Sequence, residues 1–369
     1  MNSHAHSLAA PLASLPPGAP AAARAVFRLL ERLAVGRLDV QLPDGSTARF
    51  GVSSTSGPHG AIRLNNWNVC GAALQSGDIG FAESYIAGDW TTPDVVSLLK
   101  LFIANRDAIE SVVYGTWWGS LLHRARHLLH RNTRRGSRKN IHAHYDIGNP
   151  FYRLWLDQTM SYSSAWFGGD RTQSLAQAQQ AKVARALREC GVRAGDRLLE
   201  IGCGWGTLAR AAAADFGARV TGVTLSTEQL DGARSLVGAA GLGDRVDLRL
   251  QDYRDIPDRE FDAIVSIEMF EAVGREYWPG FFAALRDKLK PGGHACIQSI
   301  TIRDDLFERY VAGTDFIQQY IFPGGLLPSP SAFRTAAREA GLQVVNELAS
   351  GADYAETLRR WRERFLAAD

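Results

Sequence analysis

Leu198-Leu-Glu-Ile-Gly-Cys-Gly-Trp-Gly206 carries the first chemical signal in this chain. An apolar run ends in a turn with glycine at every second position, Gly202, Gly204 and Gly206, and an alanine-rich stretch, Thr207 to Ala214, follows. Glycine lets a backbone turn tightly and pass close to a ligand, and the helix N-terminus beyond it offers unpaired N–H groups. A strand that delivers its C-terminal end to a nucleotide-like ligand has this form. The spacing is G-x-G-x-G rather than G-x-G-x-x-G, and no Gly-Lys-Ser/Thr follows. That excludes a Walker-type phosphate loop and disfavours a dinucleotide site. Taken alone, Glu271 reads as a carboxylate at a helix N-terminus, satisfied by the dipole. His142, His144 and Asp146 raise a metal site, but no further ligand cluster accompanies them, so no metal is expected.

The elements that must position these residues follow from periodicity. After Ser174, helix and strand alternate: helix Leu175 to Glu189, strand Arg197 to Ile201, the alanine-rich helix, strand Arg219 to Val223 and helix Thr227 to Ala240. Strand Val246 to Leu250, strand Phe261 to Ile267, helix Trp278 to Leu289 and strand Gly293 to Ile300 complete the series, with a turn at Pro291-Gly-Gly293. Such alternation predicts an α/β fold with a doubly wound, Rossmann-like sheet. Ahead of it, residues 21–110 predict a small α+β domain. It comprises a helix at Arg24 to Leu33, strands Leu38 to Leu42 and Thr47 to Gly51 joined at Pro43-Asp-Gly45, a third strand at Ala61 to Leu64, and a helix from Val95 to Asn105. Residues 1–20, rich in Ala and Pro and broken by Pro11, Pro16, Pro17 and Pro20, predict a disordered tail and not a signal peptide.

Composition narrows the partners. The chain has 369 residues, 41 Lys and Arg against 39 Asp and Glu, and a net charge of +2. So balanced a charge singles out no partner class, and no nucleic acid is expected. The cysteines Cys70, Cys190, Cys203 and Cys296 form no C-x-x-C pair, so neither a zinc ribbon nor a disulfide framework is indicated, and a reducing cytoplasm fits. No window approaches the ~20 apolar residues of a spanning helix. Between Glu110 and Asp146, however, there is no acidic residue, while Arg124, Arg126, Arg131, Arg134, Arg135, Arg138 and Lys139 are all basic. Leu121, Leu122, Ala125, Leu128 and Leu129 fall at helical spacing among them. Residues 111–140 therefore read either as a basic amphipathic helix on an anionic membrane or as a solvated linker.

The E-x-G-x-G-x-G form of Glu200 to Gly206 is similar to the first motif of S-adenosylmethionine (SAM) methyltransferases. Further segments sharpen the resemblance: His144-Tyr-Asp-Ile-Gly-Asn149, Phe151 to Asp157, Thr159-Met-Ser-Tyr-Ser-Ser164, Gly222-Val-Thr-Leu-Ser226 with Gln229, Met269-Phe-Glu-Ala-Val-Gly274 and Tyr320-Ile-Phe-Pro-Gly-Gly325. In this order they resemble the cyclopropane-fatty-acyl-phospholipid synthase family, with residues 141–369 as the methyltransferase domain. The resemblance implies transfer of the SAM methyl group to a cis double bond of a phospholipid acyl chain. It further implies removal of a proton by an enzyme-held bicarbonate, and work at the cytoplasmic face of the membrane. A homodimer is compatible with it. The alternatives are a small-molecule N-methyltransferase and a SAM- or lipid-binding subunit without activity of its own.

The resemblance also assigns residues. Gly202, Gly204 and Gly206, with Glu200, would receive SAM. Thr224, Leu225 and Gln229 would meet its ribose, Asp252 and Tyr253 its adenine, and Tyr162 and Ser163 its methionine end. Taken singly, such polar residues are more often turn formers or caps. The bicarbonate cradle would be Ser164, Glu271, Gln298, Ile300 and Tyr320. Ser164 stands where many members have Cys, and Gln298 where many have His. An amide donates without titrating, which predicts a weaker or less pH-dependent anion site. Ala272 and Gln298 together resemble relatives that add a methyl or methylene group without closing a ring, so the product stays open. The chain ends at Asp369, within a helical pattern running from Tyr354, where family members usually continue through segments that help form the acyl pocket.

Overall fold

The computed structural model describes residues 15–52, 57–109 and 148–368. The basic segment 111–140 and the trio His142, His144 and Asp146 lie outside them. The described residues fall into two compact units: residues 15–109 with Ala312–Tyr320, and residues 148–311 with 321–368.

In the first unit, helix α1 (Ala21–Leu30) packs with a four-stranded sheet ordered β2-β1-β3-β4. Strands β1 (Arg37–Gln41) and β2 (Thr47–Gly51) form the expected antiparallel hairpin, and β3 (His59–Leu64) lies parallel to β1 on its other side. β2 alternates exposed and buried residues, as a sheet with one face on a core must. Leu38, Val40, Ala48, Phe50 and Ile62 supply that core. Helix α2 (Asn68–Ile86) was not foreseen. Its glycines, Gly71, Gly77 and Gly80, dilute the apolar period, and Gly77 breaks the helix with φ +61°. The two-residue β4 (Trp90–Thr91) then leads to α3 (Val95–Ala104), capped by Asp94, which accepts from the N–H groups of Val96 and Ser97.

The second unit carries the doubly wound sheet. Its five parallel strands are ordered β7-β6-β5-β8-β9: β5 (Arg197–Ile201), β6 (Arg219–Thr224), β7 (Val246–Leu250), β8 (Phe261–Ile267) and β9 (Leu289–Gln298). Helices α4 (Asn149–Trp155) and α5 (Leu175–Glu189) precede it. α6 (Thr207–Asp215), α7 (Thr227–Ala239) and α8 (Trp278–Lys288) connect its strands. α9 (Asp304–Ala312), α10 (Pro330–Glu339) and α11 (Gly351–Leu366) follow. The central strands β5 and β8 are buried along nearly their whole length, hence their mainly apolar sequences, broken within by Glu200 in β5 and by Asp262 and Ser266 in β8. A Ser174–Gln177 capping box fixes the start of α5, stabilising it by ~1 kcal/mol.

Two expectations shift here. The turn expected at Pro291-Gly-Gly293 lies inside β9 as a bulge, where pairing jumps from Phe261↔Leu289 to Ala263↔His294. β9 therefore starts at Leu289, ahead of the turn, and ends at Gln298 rather than Ile300. The strand order reverses between β5 and β8. In an open parallel sheet that reversal leaves a crevice beyond the strand ends, because the loops on either side run to opposite faces.

Candidate active site

The crevice is flanked by the glycine loop after β5 and by the loop Glu268–Gly274 after β8. All three glycines have left-handed backbones: φ +84° at Gly202, +51° at Gly204 and +86° at Gly206. Two of them touch neighbours. A Cβ on Gly206 would lie 2.8 Å from the Cβ of Ala233, and one on Gly202 3.1 Å from Met269. Gly204 faces open space, with no heavy atom within 4 Å. The tip of the loop is thus bare backbone, while its two flanks are packed.

A polar floor lies beneath it. Glu200, at the end of β5, is buried, and its Oε2 has no partner. Burial pushes its carboxyl well above the usual range, partly offset by Lys182. Thr224 donates to the side-chain oxygen of Gln229 at 2.9 Å, and Ser226 caps the backbone N–H of Gln229, so Gln229 is fixed beside the end of β6. Leu225 is half-buried between them. Asp252 is held by Arg254. Its carboxylate accepts from Arg254 Nε at 2.8 Å and Nη2 at 2.6 Å, and from the Arg254 N–H at 3.0 Å. Tyr253 packs edge-on against Phe281, and burial pushes its hydroxyl up to about 12.

Residues 149–164 are stitched to the glycine loop. Trp205 donates its indole N–H to Asn149 at 2.7 Å, and Thr207 donates to the carbonyl of Thr159 at 2.5 Å. Tyr162 sits in an aromatic cluster with Tyr152, Trp155, Phe322 and Trp361. Ser163 and Ser164 are buried. Lys182 donates to the Ser163 hydroxyl at 2.6 Å. Burial lowers this lysine to about 8, against the pull of Glu268, Asp157 and Glu200.

Of the residues expected to cradle an anion, Ser164, Gln298 and Ile300 converge, but on carboxylates of the chain itself. The backbone N–H of Ser164 donates to Glu268 Oε1 at 2.8 Å, and its hydroxyl turns instead to the Ala165 carbonyl at 3.0 Å. The Gln298 amide gives one bond to Glu268 Oε1 at 2.8 Å and one to the Ser164 carbonyl at 3.2 Å. Ile300 N–H and Ser299 Oγ both donate to Glu271 Oε1, while Glu271 Oε2 is buried without a partner. Burial, followed by the neighbouring Glu268, raises Glu271 to about 8. Burial raises Glu268 as well, but Ser164 N–H, Lys182 and Gln298 all pull it back. Of the two, Glu268 is the one whose partners favour the ionised form, and Glu271 is the one that favours the proton. The donors Ser164 N–H, Gln298 and Ile300 N–H are already committed, so they do not fit a separate bicarbonate. Tyr320 is grouped with the first unit, where its hydroxyl donates to Glu83.

Glu268 and Lys182 escaped the sequence reading. Each left a faint trace: an acid directly after the apolar strand β8, and a lysine on the buried face of α5 between Ala178 and Ala186. Among the described residues, no group of His, Cys, Asp and Glu could hold a metal, and no helix is long and apolar enough to cross a membrane.

A parallel sheet in this order, with a glycine loop after its central strand and a buried acid beneath it, is the architecture of a SAM-dependent methyltransferase. More narrowly, the chain belongs to the mycolic acid cyclopropane synthetase family, whose model matches residues 132–369. It is 38% identical over 365 residues to the tuberculostearic acid methyltransferase of Mycobacterium tuberculosis, covering 96% of this chain and 84% of that one. It is 35% identical over 328 residues to the cyclopropane-fatty-acyl-phospholipid synthase of Escherichia coli, covering 87% and 80%. Among solved structures it resembles the mycolic acid cyclopropane synthase CmaA1 complexed with SAH and CTAB. The TM-score is 0.58 at 32% identity, over 62% of this chain and 83% of that one.

Proposed function

We propose that this methyltransferase adds the SAM methyl carbon to the cis double bond of an unsaturated phospholipid acyl chain. The observation that carries the reading is the half-buried carboxylate pair, Glu268 and Glu271, beside the glycine loop. An alkene is a weak nucleophile and needs no base to activate it. Once it has taken the methyl group, the chain carries a carbocation that must lose a proton to a nearby base. A pair of carboxylates held in different protonation states suits that second step. A strong nucleophile would trap the cation, and the thiol in the loop, Cys203, is held far above its ordinary pKa by burial. The aromatic faces around Tyr162 would stabilise positive charge without reacting with it.

When bound, SAM supplies an electrophilic methyl group on a sulfonium. Gly202, Gly204 and Gly206 would give it close backbone access, and Glu200 would face its cationic end. Thr224, Leu225 and Gln229 would position the ribose, and Tyr162 and Ser163 would close over the methionine portion. Tyr253 would wall the adenine, with Asp252 braced by Arg254. Ser164, Gln298 and Ile300 would hold the carboxylate pair. Tyr320 is given no role. The basic residues between Glu110 and Asp146 would bring the protein to the anionic inner face of the membrane, where its substrate lies.

The test incubates the protein with labelled SAM and vesicles of a cis-monounsaturated phospholipid, then weighs the acyl chains by mass spectrometry. A gain of one CH2 in the chain is expected. SAM bound with no gain would overturn the lipid reading and favour an amine substrate or a missing partner.

A further inference from the structure

The anion-binding groups of the site are filled by two carboxylates of the chain, Glu268 taking Ser164 N–H and Gln298 and Glu271 taking Ile300 N–H. From this we infer that Glu268 is the proton acceptor of the reaction, in place of any bound bicarbonate. The inference rests on the lipid C-methylation proposed above. Three features of Glu268 carry it. Its backbone is left-handed, φ +47°, a conformation that costs a non-glycine residue about 1–2 kcal/mol and is kept only where the surroundings impose it. Its N–H donates to the Gln298 carbonyl at 2.8 Å, while the Gln298 side chain returns a bond to its carboxylate, so both ends of the residue are pinned to the end of β9. The next residue, Met269, lies against Gly202 of the donor loop, which puts the acid at the crevice rather than on the outer surface.

The division of labour follows from the partners. Glu268 is faced by Lys182, the Ser164 N–H and the Gln298 amide, all of which favour the ionised form. Glu271 is faced by Glu268 and holds a proton, so it cannot accept another. In the step itself, the alkene π pair forms the bond to the methyl carbon, and the S–CH3 bonding pair returns to sulfur. A Glu268 oxygen then takes a proton from the new methyl group. The C–H bonding pair left behind closes the ring onto the adjacent cation, or forms a C=C bond if a hydride has shifted first. The proton leaves Glu268 for solvent between turnovers, and Lys182 restores the preference for the carboxylate.

The test compares wild type with Glu268→Gln and Glu268→Gly, in buffer purged of carbon dioxide and in buffer with added bicarbonate. Acyl-chain product and SAM affinity by calorimetry are both measured. Wild type is expected to turn over equally in both buffers. Glu268→Gln, nearly the same shape, should bind SAM normally and lose about 10²–10³-fold in kcat. Glu268→Gly, which relieves the backbone and vacates the carboxylate's place, should regain part of the loss only when bicarbonate is added. Wild-type turnover that requires bicarbonate, or a Glu268→Gln enzyme within about threefold of wild type, would overturn the inference and leave the lipid reading standing. A wild type that binds SAM but puts no CH2 on the acyl chain would overturn both.

Discussion

Relative to wild type, Glu271→Gln should gain stability as pH rises, in a window set by the proton held on Glu271. In the native state Glu271 titrates at about 8, raised by burial and by Glu268, whereas its ordinary value is 4.5. Below 4.5 both folded and unfolded chains hold the proton, and folding carries no penalty. Between 4.5 and about 8 the unfolded chain has released a proton that the native chain keeps, so stability falls as pH rises. Above about 8 both are ionised and the loss is complete. One pKa unit is worth ~1.4 kcal/mol, so the whole interval amounts to on the order of 4–5 kcal/mol. Glutamine keeps the acceptor for Ile300 N–H and Ser299 Oγ but cannot ionise. Its amide leaves buried N–H groups unpaired at a cost of ~1–3 kcal/mol, and that cost does not change with pH. The slope is therefore the diagnostic. Urea unfolding of both proteins at about pH 5.5, 6.5 and 7.5 should show the variant gaining ~1.4 kcal/mol on wild type per pH unit. Parallel stability curves would refute the buried, protonated Glu271. Turnover should fall in the same variant while SAM binding persists.

The glycine loop yields two contrasting variants. Gly206→Ala combines a left-handed φ with a Cβ 2.8 Å from that of Ala233, and should cost about 2–4 kcal/mol in urea unfolding; a loss under ~1 kcal/mol would mean that α7 yields. Gly204→Ala meets nothing within 4 Å and should cost only ~1–2 kcal/mol. It should nonetheless abolish SAM binding by calorimetry, and intact binding would show that no ligand approaches the loop tip. Replacing Arg131, Arg134, Arg135 and Arg138 with Gln should weaken binding to phosphatidylglycerol vesicles at low salt, with the difference shrinking as salt is raised. Unchanged binding would remove the segment from any membrane role.

The doubly wound sheet was legible because its strands are buried on both faces. Leu198-Leu-Glu-Ile201 is apolar but for Glu200 and runs straight into Gly202, and Ala263 to Val265 is an apolar run inside β8. The glycine spacing could be read because backbone geometry restricts those positions to glycine. α2 was not legible, since three glycines and a kink at Gly77 blur its period. The start of β9 was hidden for a related reason. Lys290-Pro-Gly-Gly reads as a break, and pairing continues past it only because β8 is already in place as a template.

The site shows where positional reasoning stops. Matching residues by type placed Ser164, Glu271, Gln298, Ile300 and Tyr320 around one small anion; the structure gathers the first four with Glu268, while Tyr320 bonds Glu83. What type and order could not convey is which atoms face inward. The Ser164 hydroxyl turns to a carbonyl, and its backbone N–H does the binding. That N–H points at Glu268 only because residue 268 takes a left-handed turn directly after β8. In an extended chain, neighbours in a strand alternate faces, so an acid three residues before Glu271 has no reason to meet it. The turn at 268 brings the two carboxylates together, and burial, helped by the charge of Glu268, keeps the proton on Glu271. Lys182, donors from β9 and the segment after α4 then decide that the charge stays on Glu268. A single backbone conformation thus sets which carboxylate can accept the next proton.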